Sequence, residues 1–240
     1  MEEYGLADQE KYFKLIINNK YEFHNFIYSI SINVSWFFRE PLKYEILNNI
    51  ILPQIIYKKK EKKKNTIRIW SAGCSVGQEP YSIAILLREL LVSENNIKIN
   101  IFASDIDKKS LKQAEKANYN YDNIKSVKLE LLDKYFTKTG SYYRLIPEIK
   151  KYVIFCFFNM LNNNYYVPKE SIFGDFDLVL CNNLLMYYNQ KSQNLILNKI
   201  YRSLKPGGFL LTSSSDGLNE DYKAYFKDVF PGQKIYEKIK

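Results

Sequence analysis

Residues Trp70-Ser-Ala-Gly-Cys-Ser-Val-Gly-Gln-Glu-Pro-Tyr-Ser82 decide how the rest of the chain is read. They follow a short apolar run (Ile67, Ile69) and lead into an apolar-periodic segment (Ile83, Ala84, Leu86, Leu87, Leu90, Leu91), the order strand, glycine turn, helix. Gly73 and Gly77 carry no Cβ, so the backbone can bend sharply and approach a ligand, while the helix beyond aims its first N–H groups at the turn. The glycines stand four residues apart, unlike the dinucleotide fingerprint G-x-G-x-x-G, and no Gly-Lys-Ser/Thr of a phosphate loop follows. Glu79 places a carboxylate where a pyrophosphate would be repelled. A cationic or zwitterionic ligand, such as an adenosyl sulfonium with its amino-acid tail, suits that charge better.

The 240 residues, 46% of them hydrophobic, suffice for one large domain with a small appendage. No apolar run reaches membrane-spanning length, and the N-terminus is acidic where a signal peptide needs basic residues, so a cytoplasmic protein without membrane insertion is expected. Cys74, Cys156 and Cys181 are widely separated and lack C-x-x-C pairing, which indicates neither a zinc site nor a disulfide framework. The net charge of +9 permits anionic partners, but part of it comes from Tyr57-Lys-Lys-Lys-Glu-Lys-Lys-Lys64, read here as a solvated loop. His24, the only histidine, is read as a helix-surface or core residue and not a catalyst.

Outward from the glycine turn, residues 8–30 read as one or two short helices, and Asn33-Val-Ser-Trp-Phe-Phe-Arg-Glu-Pro41 opens a helix at Pro41. Phe37 and Phe38 are either core or part of a lid over the glycine turn. Strand 67–71 and helix 79–92 form the first βα unit. A second strand, 97–105, ends in Asp105, where doubly wound folds hold a ribose diol; Asp107 reads as the N-cap of helix 108–117. The alternation lapses between 118 and 150, a small insertion with a hairpin turning at Thr139-Gly140. Tyr152–Phe158 and Phe176–Cys181 are continuous apolar runs expected of buried central strands. Helix 190–204, strand 209–213 and a final hairpin complete a mostly parallel sheet with one antiparallel edge strand.

The motifs Asn33–Glu40, Ile69–Ser82, Ala103-Ser-Asp-Ile-Asp107, Lys134-Tyr-Phe136, Phe158-Asn-Met-Leu161, Phe176–Tyr188 and Leu204-Lys-Pro-Gly-Gly208 together resemble those of the CheR-type chemotaxis-receptor glutamate methyltransferases, over about residues 30 to 240. The resemblance implies an α/β, seven-strand S-adenosylmethionine-dependent methyltransferase (Rossmann-like) fold. Residues 1–32 would be a short N-terminal helical segment and 33–240 the methyltransferase domain, with 118–150 its inserted β-subdomain. It also implies S-adenosylmethionine as cofactor, S-adenosylhomocysteine as product and a chemoreceptor cytoplasmic domain or another signalling protein as substrate. Asn33, Ser35 and Arg39 would close over the cofactor. Ala72, Gly73 and Glu79 would face its methionine moiety, Asp105 its ribose, and Asn159 with Met160 its adenine. Asn182 and Asn183 would complete the cofactor side. Tyr187, from the family's Arg-Asn-x-x-x-Tyr, would orient the incoming carboxylate and Arg39 would pair with a carboxylate of substrate or cofactor. A glutamate with an ordinary pKa of about 4.3 is already ionised at neutral pH, so the reaction needs no general base. No metal is expected.

Four departures stand beside the resemblance. Only 32 residues precede Asn33, so a shortened receptor-docking surface is expected. Asn182 replaces the family's arginine. Ser213-Ser-Ser-Asp216 stands where relatives carry Gly-x-Ser-Glu. The hairpin at Thr139-Gly140 is short, so no C-terminal pentapeptide tether is expected to be gripped. A monomer is expected. The competing readings are a divergent S-adenosylmethionine-binding regulator with weak or no catalysis and a nucleic-acid methyltransferase. The latter is weakened because Asn182-Asn-Leu-Leu is not the Asn/Asp-Pro-Pro-aromatic run of adenine-amino methyltransferases and no stacking platform for bases is identifiable.

Overall fold

The computed structural model describes residues 9–19, 22, 26, 35–62, 65–92 and 96–239. Its centre is a seven-stranded sheet of β1 (Thr66–Ala72), β2 (Lys98–Asp105), β6 (Val153–Phe157), β7 (Phe176–Cys181), β8 (Leu204–Thr212), β9 (Phe226–Phe230) and β10 (Ile235–Lys238), in the order β6-β2-β1-β7-β8-β10-β9. The first five strands in that order are mutually parallel, and β10 runs antiparallel to both β8 and β9. The antiparallel strand therefore lies inside the sheet and not at its edge. The closing hairpin inserts its second strand beside β8 and leaves its first strand, β9, at the border.

Strand alternation divides the core into two faces. Ile67, Ile69, Leu178, Leu180, Phe209 and Leu211 point to one face, under the helices Gln78–Leu90 and Leu52–Glu61. Trp70, Ala72, Val179, Cys181 and Leu210 point to the other, under helix Gln190–Ser203. All six residues of β7 are buried, as its apolar run predicts. The similar run in β6 lies at an edge, with Ile154 and Phe157 partly exposed. One face of β6 is occupied by Phe155 against Tyr81, ring centroids 5.5 Å apart, and an apolar run alone does not distinguish this from burial on both sides.

Pro41 opens helix Pro41–Ile46, where its fixed φ suits the first turn. An i→i+5 turn, Leu47–Ile51, follows, with Leu52 N donating to Leu47 O just before Pro53, which has no N–H to give. The lysine run is not a solvated loop through Glu61: Lys58–Lys60 continue helix Leu52–Glu61, and Lys59 is buried. Lys59 Nζ reaches Asp177 Oδ2 of β7 at 2.8 Å, and Asp177 also receives Lys205 and the backbone N–H of Arg68. Burial lowers the Lys59 pKa against the opposing pull of Asp177. A charge run counted along the sequence does not reveal that the helix crosses a buried aspartate.

The inserted region holds a second sheet, β3 (Asn118–Tyr119), β5 (Tyr142–Leu145) and β4 (Phe136–Thr139), in that order. Phe37 is fully buried edge-on against Tyr119 and Phe136, at 4.9 and 5.2 Å. Phe38 packs on Tyr44 at 5.3 Å. Both phenylalanines are core, and they anchor segment 35–40 between the insertion and the main domain.

Candidate active site

Parallel register brings the strand ends to one edge. Ala72 pairs with Ser104, Asp105 with Phe157, Ser71 with Leu180 and Cys181 with Thr212. The segments that follow these strands, starting at Gly73, Ile106, Phe158, Asn182 and Ser213, therefore open side by side. On either side of β1 the strand order reverses, and crevices at such a switch point are where open α/β sheets bind ligands.

The glycine turn is held from β2. Gly73 N and Cys74 N both donate to Ser104 O, at 2.8 and 3.0 Å, and Ser75 N donates to Asp105 Oδ2 at 2.8 Å. Gly77, φ +94°, begins helix Gln78–Leu90 with no side chain capping its first N–H groups. A Cβ at Gly77 would lie 3.0 Å from Ala114 Cβ and 3.2 Å from both Phe155 Cζ and the Tyr119 hydroxyl. The position needs glycine for conformation and for close packing alike.

Asp105 Oδ1 accepts from Asp107 N at 2.9 Å. Burial raises the Asp105 pKa, opposed by the backbone N–H groups of Asp107 and Ser75. Asp107 caps helix Lys108–Lys116 through Lys109 N and Ser110 N, the N-cap its position predicts. Tyr188 is partly buried, and burial first, then the charge of Asp105, raises its pKa.

Glu79, in the first turn of its helix, receives Ser71 Oγ at 2.6 Å and Asn182 Nδ2 at 2.7 Å. Burial raises its pKa; the two hydrogen bonds and the charges of Lys43 and Arg39 oppose the rise. Asn182 Oδ1 is buried without a donor. Arg39 lies over the Trp36 ring, 4.7 Å from its centroid. The Ser35 carbonyl accepts from Gln78 Nε2 and Asn123 Nδ2, at 3.0 and 3.2 Å. Asn33 and His24 lie outside the described residues.

Asn159 Oδ1 accepts from Leu161 N at 2.9 Å and turns the chain after β6, while Met160 is buried in the Trp70 and Phe158 cluster. Asn183 sits at φ +55° with its N–H on Ser213 Oγ at 3.1 Å. Tyr187 ends the short 3₁₀ turn Leu185–Tyr187 and is 54% exposed. The structure thus brings Glu79 and Asn182 into direct contact and joins Asp105 to the glycine turn. Tyr187 stands apart, and among the described residues its hydroxyl has no hydrogen-bond partner. Sequence reasoning gave no role to Ser71, a polar residue in a fully buried strand position, or to Asp216 of the Ser213–Asp216 stretch.

The residues present fit a ligand with a cationic amine and a diol. Beside the Glu79 carboxylate stands a buried oxygen that lacks a donor, and Asp105 is a second carboxylate two strands from Asn182. Among the described residues, no group of three or more His, Cys, Asp or Glu could hold a metal ion, and no helix is long and apolar enough to cross a membrane.

The family model for the CheR methyltransferase SAM-binding domain matches residues 33–234. A chemotaxis protein methyltransferase of Borreliella burgdorferi is 36% identical over 191 residues, 79% of this chain and 66% of that protein. One of Escherichia coli K12 is 31% identical over 238 residues, 97% of this chain and 77% of that protein. The chain thus spans 66% and 77% of the lengths of these two relatives. With that match running from the segment before Trp36 through the glycine turn to the final hairpin, the chain belongs to the CheR methyltransferase family and carries its S-adenosylmethionine-binding domain.

Proposed function

We propose that this protein forms methyl esters on glutamate side chains of a chemoreceptor cytoplasmic domain or a related signalling protein. S-adenosylmethionine, when bound, supplies a methyl group on a positively charged sulfonium. The observation that carries the reading is the convergence, at one sheet edge, of the glycine turn, Asp105 and the Glu79–Asn182 pair with the Asn183–Tyr187 segment.

Glu79 would hold the cofactor's ammonium, with Asn182 Oδ1 as a second acceptor, and Ala72 and Gly73 would face its amino-acid tail. Asp105 accepts from the ribose hydroxyls, held ready by the Ser75 and Asp107 N–H groups. Asn159 and Met160 border the adenine, and Ser35 and Arg39 cover the site. Asn183 fixes the chain beyond β7, and Tyr187 aligns the acceptor carboxylate. Because that carboxylate is ionised at neutral pH, catalysis rests on alignment and on keeping water out. The two-residue turn between Thr139 and Tyr142 in the inserted sheet supports methylation without a receptor C-terminal tether. The reading as a regulator without turnover is not favoured, since the family model and the curated relatives matched are methyltransferases.

The test is transfer of radiolabelled methyl from S-adenosylmethionine into a chemoreceptor cytoplasmic fragment, with Asp105→Ala as control. Base-labile label that depends on Asp105 is the expected result. Cofactor binding with no label in any receptor of the host would overturn it.

A further inference from the structure

A buried carboxylate stands behind the segment that carries Tyr187. Asp216, 6% exposed, follows the end of β8 by four residues. Its Oδ1 accepts from Met186 N at 2.9 Å, and its Oδ2 from Leu184 N at 3.2 Å and Ser213 Oγ at 2.9 Å. Ser213 Oγ in turn accepts from Asn183 N at 3.1 Å, and Ser215 Oγ from Asn183 Nδ2 at 3.3 Å. Three residues of the Asn183–Met186 stretch are therefore tied to the loop after β8.

The stretch needs such ties. Asn183 is left-handed at φ +55°, and the 3₁₀ turn Leu185–Tyr187 is too short to hold its own shape. A carboxylate, with two acceptor oxygens, can take three donors at once, whereas an amide at the same place offers one oxygen. The loop is also fixed from its far side. Glu40 Oε1 accepts from Ser214 N at 3.1 Å, and buried Lys43 donates to Thr212 O at 2.7 Å. Asp216 is thus backed by a braced loop.

We propose that Asp216 is a positioning residue for methyl transfer: through the Leu184 and Met186 amides it sets where Tyr187 meets the acceptor carboxylate. This rests on the methyl-transfer reading above. The test compares Asp216→Ala, Asp216→Asn and Asp216→Glu with the wild type by S-adenosylmethionine calorimetry, steady-state methylation of a chemoreceptor cytoplasmic fragment, and amide hydrogen exchange. Asp216→Ala lowers kcat about 100-fold, the scale of a misplacement of about 1 Å. Its cofactor Kd stays within about twofold. Exchange at Leu184 and Met186 speeds about tenfold or more while β1 and β7 keep their protection. Asp216→Asn is intermediate, and Asp216→Glu, which keeps both oxygens, recovers kcat to within about tenfold of wild type. Unchanged kcat and unchanged exchange in Asp216→Ala, or a Kd that worsens in step with kcat, overturns the proposal. If the wild type labels no receptor fragment, the function reading fails by itself; the exchange rates at Leu184 and Met186 then still decide whether Asp216 holds the segment.

Discussion

Asn182 Nδ2 donates to Glu79 Oε2 at 2.7 Å, joining the tip of β7 to the helix after the glycine turn and leaving Asn182 Oδ1 buried without a donor. The pair is an acceptor-rich patch at neutral pH, which a ligand ammonium would complete. It gives the first prediction. Glu79→Gln lowers S-adenosylmethionine affinity about tenfold to hundredfold, the worth of a hydrogen bond to a charged group. The same substitution leaves the ligand-free protein as stable or more so, because a flipped Asn182 can accept from the new amide. Calorimetry and thermal unfolding with and without cofactor check both halves, and unchanged affinity would remove Glu79 from the site.

The second prediction concerns pH. Burial holds the Glu79 and Asp105 carboxyls above their usual range, so the folded, ligand-free protein binds these protons more tightly than the unfolded chain does. The stabilisation this gives is complete below the ordinary carboxylate pKa of about 4 and is lost as pH rises through the raised values. Cofactor affinity runs the other way, since the ammonium needs an ionised Glu79. Affinity therefore falls as pH drops through the raised pKa, and Glu79→Gln flattens that part of the profile. A wild-type Kd independent of pH down to about pH 4.5 would contradict it.

Gly77→Ala is expected to destabilise the fold by about 1–3 kcal/mol, the range for a non-glycine residue in a sparsely populated conformation. The added methyl also meets Ala114, Phe155 and the Tyr119 hydroxyl, which ties the glycine turn to the inserted sheet. Denaturant unfolding measures the loss. Gly140→Ala serves as the comparison, because a Cβ there meets nothing within 4 Å.

Tyr187→Phe should lower kcat for receptor methylation about tenfold with cofactor Kd unchanged, as removal of one orienting hydrogen bond implies. The side chain is 54% exposed, so stability is expected to hold within about 0.5 kcal/mol. Parallel measurement of kcat, Kd and Tm separates orientation from packing.

Lys59→Met should cost about 1–3 kcal/mol of stability, since Asp177 keeps Lys205 and the Arg68 N–H but loses a buried cation at 2.8 Å. Methyl transfer by the folded fraction is unaffected. Equal stability of variant and wild type in urea would show that the ion pair contributes nothing net.

Much of this was legible along the chain. The glycine spacing, the apolar run of β7, the N-cap at Asp107 and the Pro41 helix start are local, because each depends on backbone freedom or periodicity within a few residues. Motif order carried the family and the seven-strand sheet. The tertiary structure alone decided what depends on distant partners. It set β6 at an edge and β10 inside the sheet, because strand order is chosen by which apolar faces find cover. It turned Lys59 inward, because Asp177 waits across 118 residues of chain. It also set Asp216 behind Leu184 and Met186, since the acceptor for these two N–H groups comes from the loop after β8, 32 and 30 residues further along the chain.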